Sequence, residues 1–487
     1  MMIRTLEAVV GSQSLPEALK ALALTGLALD SRHVKVGNAF VALAGTHQHG
    51  LGYIDEAVRK GAVLLMVEAG ATVPSVSIPV LEVKELRKSL SAFAANFYDH
   101  PCRDMEVMAV TGTNGKTSCC HLMAQAWKLQ GYRSGVLGTL GNGVWGQLHP
   151  STHTTADAIS LQAELANMAV AGVTHLAMEA SSHGLDQDRM AAVPVHWAVF
   201  TNLTHDHLDY HGSMDQYAAA KARLFAWESL KGAVIHAAVP YHEWMLKALQ
   251  PGVPWVLYGH AADHDLWFDQ VKVDAQGMSC QVHGRFGRGS MHTRLLGRFN
   301  LENVTAVLGC LLMQGTPLDQ ALAVVAELEP VAGRMQTLRV PGLPTVVVDY
   351  AHTPDALQQV LQSLREGLQG QLICVVGCGG DRDAGKRPIM GRLASELADE
   401  VWLTSDNPRY ERPEDILAQM QSALKRPVHI EVDRLQAIRK ALAAASSDSV
   451  VLIAGKGHET YQEVAGQRYP FDDMAIAKHW LQEGLCN

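Results

Sequence analysis

The sequence predicts an α/β protein of three domains built on mostly parallel sheets, and three observations carry that reading. At 487 residues the chain is too long for one core, and at roughly 150 residues per domain it corresponds to about three. Apolar runs of strand length recur with helical patterns between them, at 105–110, 175–178, 197–200, 345–348, 372–376 and 450–454. Several of these runs end directly in a residue able to do chemistry or turn sharply: Gly112, Glu179, Asn202, Asp349, Gly377 and Gly455. In open α/β sheets the carboxyl ends of parallel strands are where ligands bind.

The first domain, 1–103, is rich in short apolar runs and closes at Asp99-His100-Pro101, just before the run that starts at Met105. The second, 104–337, ends near Gly333-Arg334, ahead of the turn cluster Pro341-Gly342-Leu343-Pro344. The third is 338–487. Hydrophobic residues at 48% and charged residues at 18% supply large cores and argue against disorder. With 40 Lys+Arg against 49 Asp+Glu the formal charge is −9, so no global field draws nucleic acid or an anionic membrane, and a polyanionic ligand must be met by local groups. No apolar run reaches about 18 unbroken residues, which disfavours a membrane-spanning helix. The eight cysteines include no C-x-x-C pair and read as reduced thiols in a chain too large to need stapling. The opening residues carry Glu7 and Glu17 and show no clean signal-peptide core, so the cytoplasm is the expected compartment; small-molecule substrates and a monomeric state are expected as well.

The segment from Met108 to Tyr132 reads strand, glycine turn, helix, with Gly112-Thr113-Asn114-Gly115-Lys116-Thr117-Ser118 at the turn. Glycines let backbone N–H groups approach phosphate oxygens, the helix N-terminus adds partial positive charge, Lys116 neutralises phosphate, and Thr117 offers a hydroxyl to Mg²⁺. Position 110 is Val, so the loop is shorter than the usual G-x-x-x-x-G-K-[ST]. Nucleotide triphosphate binding is the best-supported single inference. Glu179 at a strand end is a second oxygen donor for Mg²⁺. His205, His207 and His211 resemble a zinc cluster by count, but their spacing lacks a zinc frame, and metal contact by one histidine is favoured over structural zinc. Lys221, in a helical stretch, reads on composition alone as a solvated lysine.

Nine segments in order resemble the Mur ligase family, specifically its meso-diaminopimelate-adding branch, over essentially the whole chain. They are the loop Thr111–Thr117, Glu179-Ala-Ser-Ser-His-Gly184, Asn202-Leu-Thr-His-Asp-His-Leu-Asp-Tyr-His211, Lys221, Gly297-Arg-Phe-Asn-Leu-Glu-Asn303, Asp349-Tyr-Ala-His-Thr-Pro354, Gly377-Cys-Gly-Gly-Asp-Arg-Asp383, Asp406-Asn-Pro-Arg409 and Gly455-Lys-Gly-His-Glu459. The resemblance implies a UDP-binding N-terminal α/β domain, a central P-loop ATPase and a Rossmann-like C-terminal domain that receives the amino acid. It implies that Lys221 is carbamylated and holds Mg²⁺ with Glu179 and His207, and that Asn303, Arg334, Asp349 and His352 hold the nucleotide. Leu29, Ser31, His47, Gln48 and His49 resemble the uridine-diphosphate pocket. His153, Thr154, Thr155, Ser181, Gln187 and Arg189 match positions for the pyrophosphate and sugar-peptide, with His153 standing where the family pattern often has Asn.

The selector for the incoming amino acid is Asp406-Asn407-Pro408-Arg409. Arg409 can grip a carboxylate bidentately, while Asp406 and Asn407 receive an ammonium. Lysine-adding relatives replace the arginine, so Arg409 favours meso-diaminopimelate; Arg382, Gly455 and Glu459 match the remaining contacts. The implied reaction joins meso-diaminopimelate to UDP-N-acetylmuramoyl-L-alanyl-D-glutamate with ATP as co-substrate, and closure of the C-terminal domain over the central one is expected to keep water from the intermediate. An L-lysine-adding ligase, a folylpolyglutamate synthetase and a regulatory ATPase without ligase activity are the alternatives.

Overall fold

The computed structural model describes residues 2–11, 15–45, 50–151, 153–274, 277–366 and 368–484, which form two compact units, Met1–Tyr258 and Gly259–Asn487. Every one of the six apolar runs is a strand, as burial on two helix-covered faces demands.

The first unit opens with a four-stranded all-parallel sheet, Gly26–Ala28, Asn38–Ala42, Leu64–Glu68 and Val80–Val83, in that order. Its strands are apolar on both faces. Leu27, Ala39, Val41, Leu64, Met66 and Leu81 pack with the helix Leu86–Phe97 on one side, and Ala28, Phe40, Ala42, Leu65 and Val67 pack with the helix Ile54–Arg59 on the other. The rest of the unit carries a larger sheet. Its strands run Gln147–His149, Gly141–Val144, Ser134–Gly138, His175–Glu179, Glu106–Thr111, Trp197–Phe200, Gly232–His236 and Trp255–Gly259 across the sheet, all in one direction except Gly141–Val144, which is antiparallel to both its neighbours.

That order places Glu106–Thr111 between His175–Glu179 and Trp197–Phe200, with Val110 opposite Glu179 and Thr111 opposite Phe200. Three strands therefore end side by side, at the point where the chain reverses its direction of travel across the sheet. The helix Lys116–Leu129, which starts at one of these ends, buries Cys119, Cys120, Leu122, Met123, Ala126 and Trp127 almost completely. Each large apolar side chain so buried contributes about 1.5–3 kcal/mol, which anchors the turn that precedes it.

The second unit begins with an antiparallel meander, Leu266–Asp274, Gly277–Gly284 and Gly289–Thr293, followed by the helices Arg298–Met313 and Leu318–Ala326. It continues into a six-stranded sheet ordered Gln336–Leu338, Thr345–Asp349, Val450–Ala454, Leu372–Val376, Glu400–Leu403 and His429–Ile430, parallel except for the first strand. Odd and even positions again face opposite layers: Val347, Cys374, Val376, Leu403 and Leu452 pack under the helices Pro354–Arg365 and Lys386–Leu397. Val346, Val348, Ile373, Val375 and Ile453 meet the helices Arg434–Ala444 and Asp473–Gly484. Asp349 lies opposite Ala454, so the carboxyl ends leading to Tyr350, Gly455, Gly377 and Thr404 share one edge. Among the described residues, no helix is long and apolar enough to cross a membrane.

Candidate functional site

In the first unit the glycine turn is braced by the neighbouring strand end. Gly112 has φ +154° and lies so close to Thr201 that a Cβ there would sit 2.0 Å from the Thr201 hydroxyl. Asn202 accepts from Thr113 N–H through its carbonyl at 3.0 Å and from Asn114 N–H through its side-chain oxygen at 2.8 Å. Gly115, at φ +83°, supplies the left-handed backbone that turns the chain into the helix, leaving Lys116, Thr117 and Ser118 in its first turn.

Lys116 Nζ donates to the carbonyls of Gly112 (2.9 Å) and Thr113 (2.8 Å). Lys221 Nζ donates to the same Gly112 carbonyl at 2.8 Å and sits 4.4 Å from the centre of the Tyr217 ring. The expectation of a solvated Lys221 is overturned: the side chain is 1% exposed. Tyr217, Ala218 and Ala222 on its own helix are buried beside it, and this burial, reinforced by the charge of Lys116, drives the pKa of the amine well down.

Glu179 is buried and ringed by donors. Its Oε1 accepts from Thr117 Oγ1 at 3.0 Å and Thr139 N–H at 2.7 Å, and its Oε2 from Thr139 Oγ1 at 3.3 Å. Thr154 Oγ1 lies 3.1 Å from Thr139 Oγ1, while Thr155 Oγ1 donates to the Glu179 carbonyl at 2.7 Å and accepts from Ser181 N–H at 3.0 Å. Thr117, Glu179, Thr154, Thr155 and Ser181 are thus one hydrogen-bonded group beside the turn. His153, by contrast, is exposed.

The three histidines do not gather as a zinc cluster. His211 is buried with Nε2 2.9 Å from Ser182 Oγ, while His205 and His207 are exposed, the His207 ring lying 5.0 Å from that of His183. His183 itself is pushed down to about 4, first by burial and then by His207 and His211.

A cleft of about 520 Å³ joins the first sheet to the second, and four expected residues line it: Leu29, Ser31, Gln187 and Arg189. Ser31 Oγ donates to Glu56 Oε2 at 2.6 Å; Arg189 donates to the Thr155 carbonyl at 2.7 Å and to Gln187 Oε1 at 2.8 Å. Arg32, Arg87 and Arg189 bring three cationic groups to its walls. His47, Gln48 and His49 lie outside the described residues.

In the second unit Arg334, Asp349 and His352 surround Tyr350: the guanidinium lies 4.8 Å from the ring centre and the exposed imidazole 4.6 Å. Asp349 accepts from Met335 N–H at 2.7 Å, and burial raises its carboxyl to about 6 against the pull of Arg334. Asn303 is buried on the helix Arg298–Met313, where it donates to Asn300 Oδ1 at 3.2 Å.

The segment expected to select the amino acid is assembled from adjacent strand ends. Gly455, at φ +111°, allows Asp406 to approach; a Cβ there would lie 2.5 Å from Asp406 Oδ2. Asn407 donates to Glu459 Oε2 at 2.7 Å, and the fully buried Lys456 bridges Asn407 Oδ1 and Glu459 Oε2, each at 3.0 Å. Pro408 leads into Arg409, whose Nη1 donates to the Gly380 carbonyl at 2.7 Å. Arg382 is exposed and makes no hydrogen bond among the described residues.

Sequence reasoning passed over Thr139, Tyr217 and Lys456. Thr139 follows a strand end and so carried the same positional signal as Glu179. Lys456 lies between two glycines of a segment already singled out. Tyr217 had only its i−4 spacing from Lys221, a weak signal.

Residues 23–98 match the model described as Mur ligase family, catalytic domain, residues 110–311 the Mur ligase middle domain, and residues 333–457 the Mur ligase, glutamate ligase domain. A protein of Ectopseudomonas mendocina named UDP-N-acetylmuramoyl-L-alanyl-D-glutamate--2,6-diaminopimelate ligase is 45% identical over 477 residues, 96% of this chain and 97% of its own length. One of Pseudomonas aeruginosa with the same name is 45% identical over 476 residues, again 96% and 97%. A solved structure bearing that name has TM-score 0.73 and 36% identity, covering 99% of each chain. With 45% identity to these relatives over 96% of its length and three family models matched in order, the chain belongs to the Mur ligase family.

Proposed function

We propose that the protein is an ATP-dependent ligase that joins meso-diaminopimelate to the D-glutamate γ-carboxylate of UDP-N-acetylmuramoyl-L-alanyl-D-glutamate in peptidoglycan precursor synthesis. The observation that carries it is the selector, Asp406, Asn407 and Arg409 held beside Gly455 and Glu459, in a chain 45% identical to ligases of that name. On this reading the segments 1–103, 104–337 and 338–487 serve the UDP substrate, the nucleotide and the amino acid, a division supported by the three family-model matches.

ATP transfers its γ-phosphoryl group to the carboxylate, giving an acyl phosphate and ADP. The free amine attacks the acyl carbon, the tetrahedral intermediate expels phosphate, the amine loses a proton, and an amide remains. A carboxylate is a poor electrophile, so the phosphoryl group supplies the leaving group that it lacks. The turn Gly112–Ser118 cradles the phosphates and Lys116 offsets their charge, positioning and electrostatics being the main sources of catalysis in such transfers. Asn303, Arg334, Asp349 and His352 hold the nucleotide. The cleft lined by Leu29, Ser31, Gln187 and Arg189 takes the UDP end of the substrate, its arginines meeting the pyrophosphate, and Thr154, Thr155 and Ser181 take the portion nearer the turn.

The oxygen donors of Thr117 and Glu179, 3.0 Å apart and buried, suit a hard cation. They would hold Mg²⁺, with His207 adding a nitrogen. A Lys221 ammonium would repel such an ion, whereas its carbamate, formed when the neutral amine adds CO₂ and loses one proton, is an oxygen ligand. When bound, Mg²⁺ supplies charge stabilisation to the phosphates.

Phosphate release by the purified protein with ATP, Mg²⁺ and the UDP-dipeptide, compared with meso-diaminopimelate, with L-lysine and with no amino acid, tests the proposal. Release with diaminopimelate alone is expected. Equal release with lysine would remove the assignment of Arg409, and release independent of any amino acid would favour the regulatory ATPase. A folylpolyglutamate synthetase has no use for the N-terminal cleft, nor for a carboxylate-gripping Arg409.

A further inference from the structure

Directly after Glu459 the chain forms a hairpin, Tyr461–Val464 paired antiparallel with Gln467–Pro470. Its two-residue turn, Ala465 and Gly466, has positive φ at both positions (49° and 76°), the geometry that matches the twist of a two-stranded ribbon. The second strand is exposed throughout. Besides pairing with it, the hairpin's first strand hydrogen-bonds to the selector.

The contacts are specific. Gln462 Nε2 donates to the Asp406 carbonyl at 2.6 Å and to Ser405 Oγ at 3.3 Å; Glu463 N–H donates to Asn407 Oδ1 at 2.9 Å. Arg409 N–H donates to the Glu463 carbonyl at 3.0 Å, the Arg409 carbonyl accepts from Ala465 N–H at 2.6 Å, and the Glu463 carboxylate lies 3.6 Å from Arg409 Nε. Arg409 has φ +51°, a left-handed conformation that a non-glycine residue keeps only where its surroundings impose it. The two backbone bonds from the hairpin impose it here. With Nη1 on the Gly380 carbonyl and Nε facing Glu463, Nη2 makes no hydrogen bond among the described residues.

We propose that Gln462 and Glu463 are positioning residues for the second substrate: they fix the backbone of Asp406–Arg409 and the plane of the Arg409 guanidinium, and so set which amino acid is accepted. This rests on the assignment of the selector made above. Both side chains are engaged with the segment Ser405–Arg409. Their loss therefore acts on amino-acid recognition, and above all on the carboxylate that distinguishes diaminopimelate from lysine.

The test is steady-state kinetics of the full chain carrying Gln462→Ala or Glu463→Ala. The KM for meso-diaminopimelate is expected to rise at least fivefold and the diaminopimelate-to-lysine ratio of kcat/KM to fall by a similar factor. The KM for ATP and the kcat at saturating amino acid stay within twofold. Unchanged amino-acid KM and selectivity, or equal losses toward all three substrates, would overturn the proposal. Should either variant not fold, Glu463→Gln keeps every backbone bond and carries the same test, with a threefold change expected and less than a twofold change decisive against it. Wild-type protein inactive with diaminopimelate would instead refute the ligase assignment itself, so the two failures are distinct.

Discussion

Asp349 offers a prediction in which stability and function pull apart. Its carboxyl is buried at a strand end, accepts from Met335 N–H at 2.7 Å, and titrates near 6 where an ordinary aspartate titrates at 3.8. Burial is the dominant cause, opposed by Arg334. Because the folded-state pKa lies above the unfolded one, the unfolded chain gives up its proton first as pH rises. The folded form is therefore progressively disfavoured between about pH 4 and 6 and carries the full penalty above that. At about 1.4 kcal/mol for each pH unit of displacement, the penalty is about 3 kcal/mol. An asparagine side chain in its place would be neutral at every pH and, like a protonated carboxyl, would still accept from Met335 N–H. We therefore expect Asp349→Asn to match wild type near pH 4 and to exceed it by about 3 kcal/mol at pH 8, while binding ATP more weakly at both. Hydrogen exchange at the amides of Thr345–Asp349, taken as the difference between variant and wild type at each pH so that intrinsic exchange cancels, reads this as roughly a hundredfold gain in protection at pH 8 only. A difference of the same size at pH 4, or none at pH 8, would refute the burial argument.

Three further outcomes follow from the same geometry. Lys116→Ala should abolish turnover, since the phosphates lose their cation, and an unchanged kcat would remove the phosphate role of the turn. Arg409→Ala should raise the apparent KM for diaminopimelate roughly tenfold to a hundredfold, the scale of a charge-assisted hydrogen bond worth about 1.5–3 kcal/mol, and leave ATP affinity alone; equal effects on both would count against it. In the buried pair Arg434–Asp473, where both side chains are 0% exposed and the shortest contact is 2.7 Å, Asp473→Ala strands a guanidinium and should cost about 3–5 kcal/mol. Urea unfolding followed by circular dichroism checks this, and a loss under about 1 kcal/mol would contradict it.

The sheets could be read from the chain because parallel strands buried on both faces are near-continuous apolar runs, and because Glu179, Asp349 and Gly455 end them abruptly. Strand order was not written in those runs. It follows from tertiary pairing, and only that pairing puts Glu179 beside the glycine turn and Asp406 beside Gly455. The glycine turn between strand and helix was recoverable from spacing alone, since Gly112, Gly115, Lys116 and Thr117 fall within six residues. Leu29 and Ser31 were not: they reach Gln187 and Arg189 across more than 150 residues, and the resemblance to a family, not any local pattern, singled them out. Lys456 was singled out by neither, and stays an unremarked lysine until its contacts with Asn407 and Glu459 are known.

The two lysines of the turn show how far burial decides what a residue does. Both donate to the Gly112 carbonyl, yet Lys116 is only partly buried while Lys221 is sealed beneath Tyr217 and Ala218. Two ammonium groups sharing one carbonyl repel each other, and the cost falls on the group that water cannot reach. That group is Lys221, whose pKa is driven well down by burial and by the charge of Lys116. Lys221 is held toward the neutral amine, which still donates an N–H to the carbonyl and keeps the lone pair through which an amine reacts. Exchanging the two environments would exchange the two roles: a buried cation at 116 would bind phosphate poorly, and an exposed amine at 221 would stay protonated and inert. The helix Met214–Ala222, whose sequence reads as an ordinary surface segment, makes that difference by turning Tyr217 and Lys221 inward together.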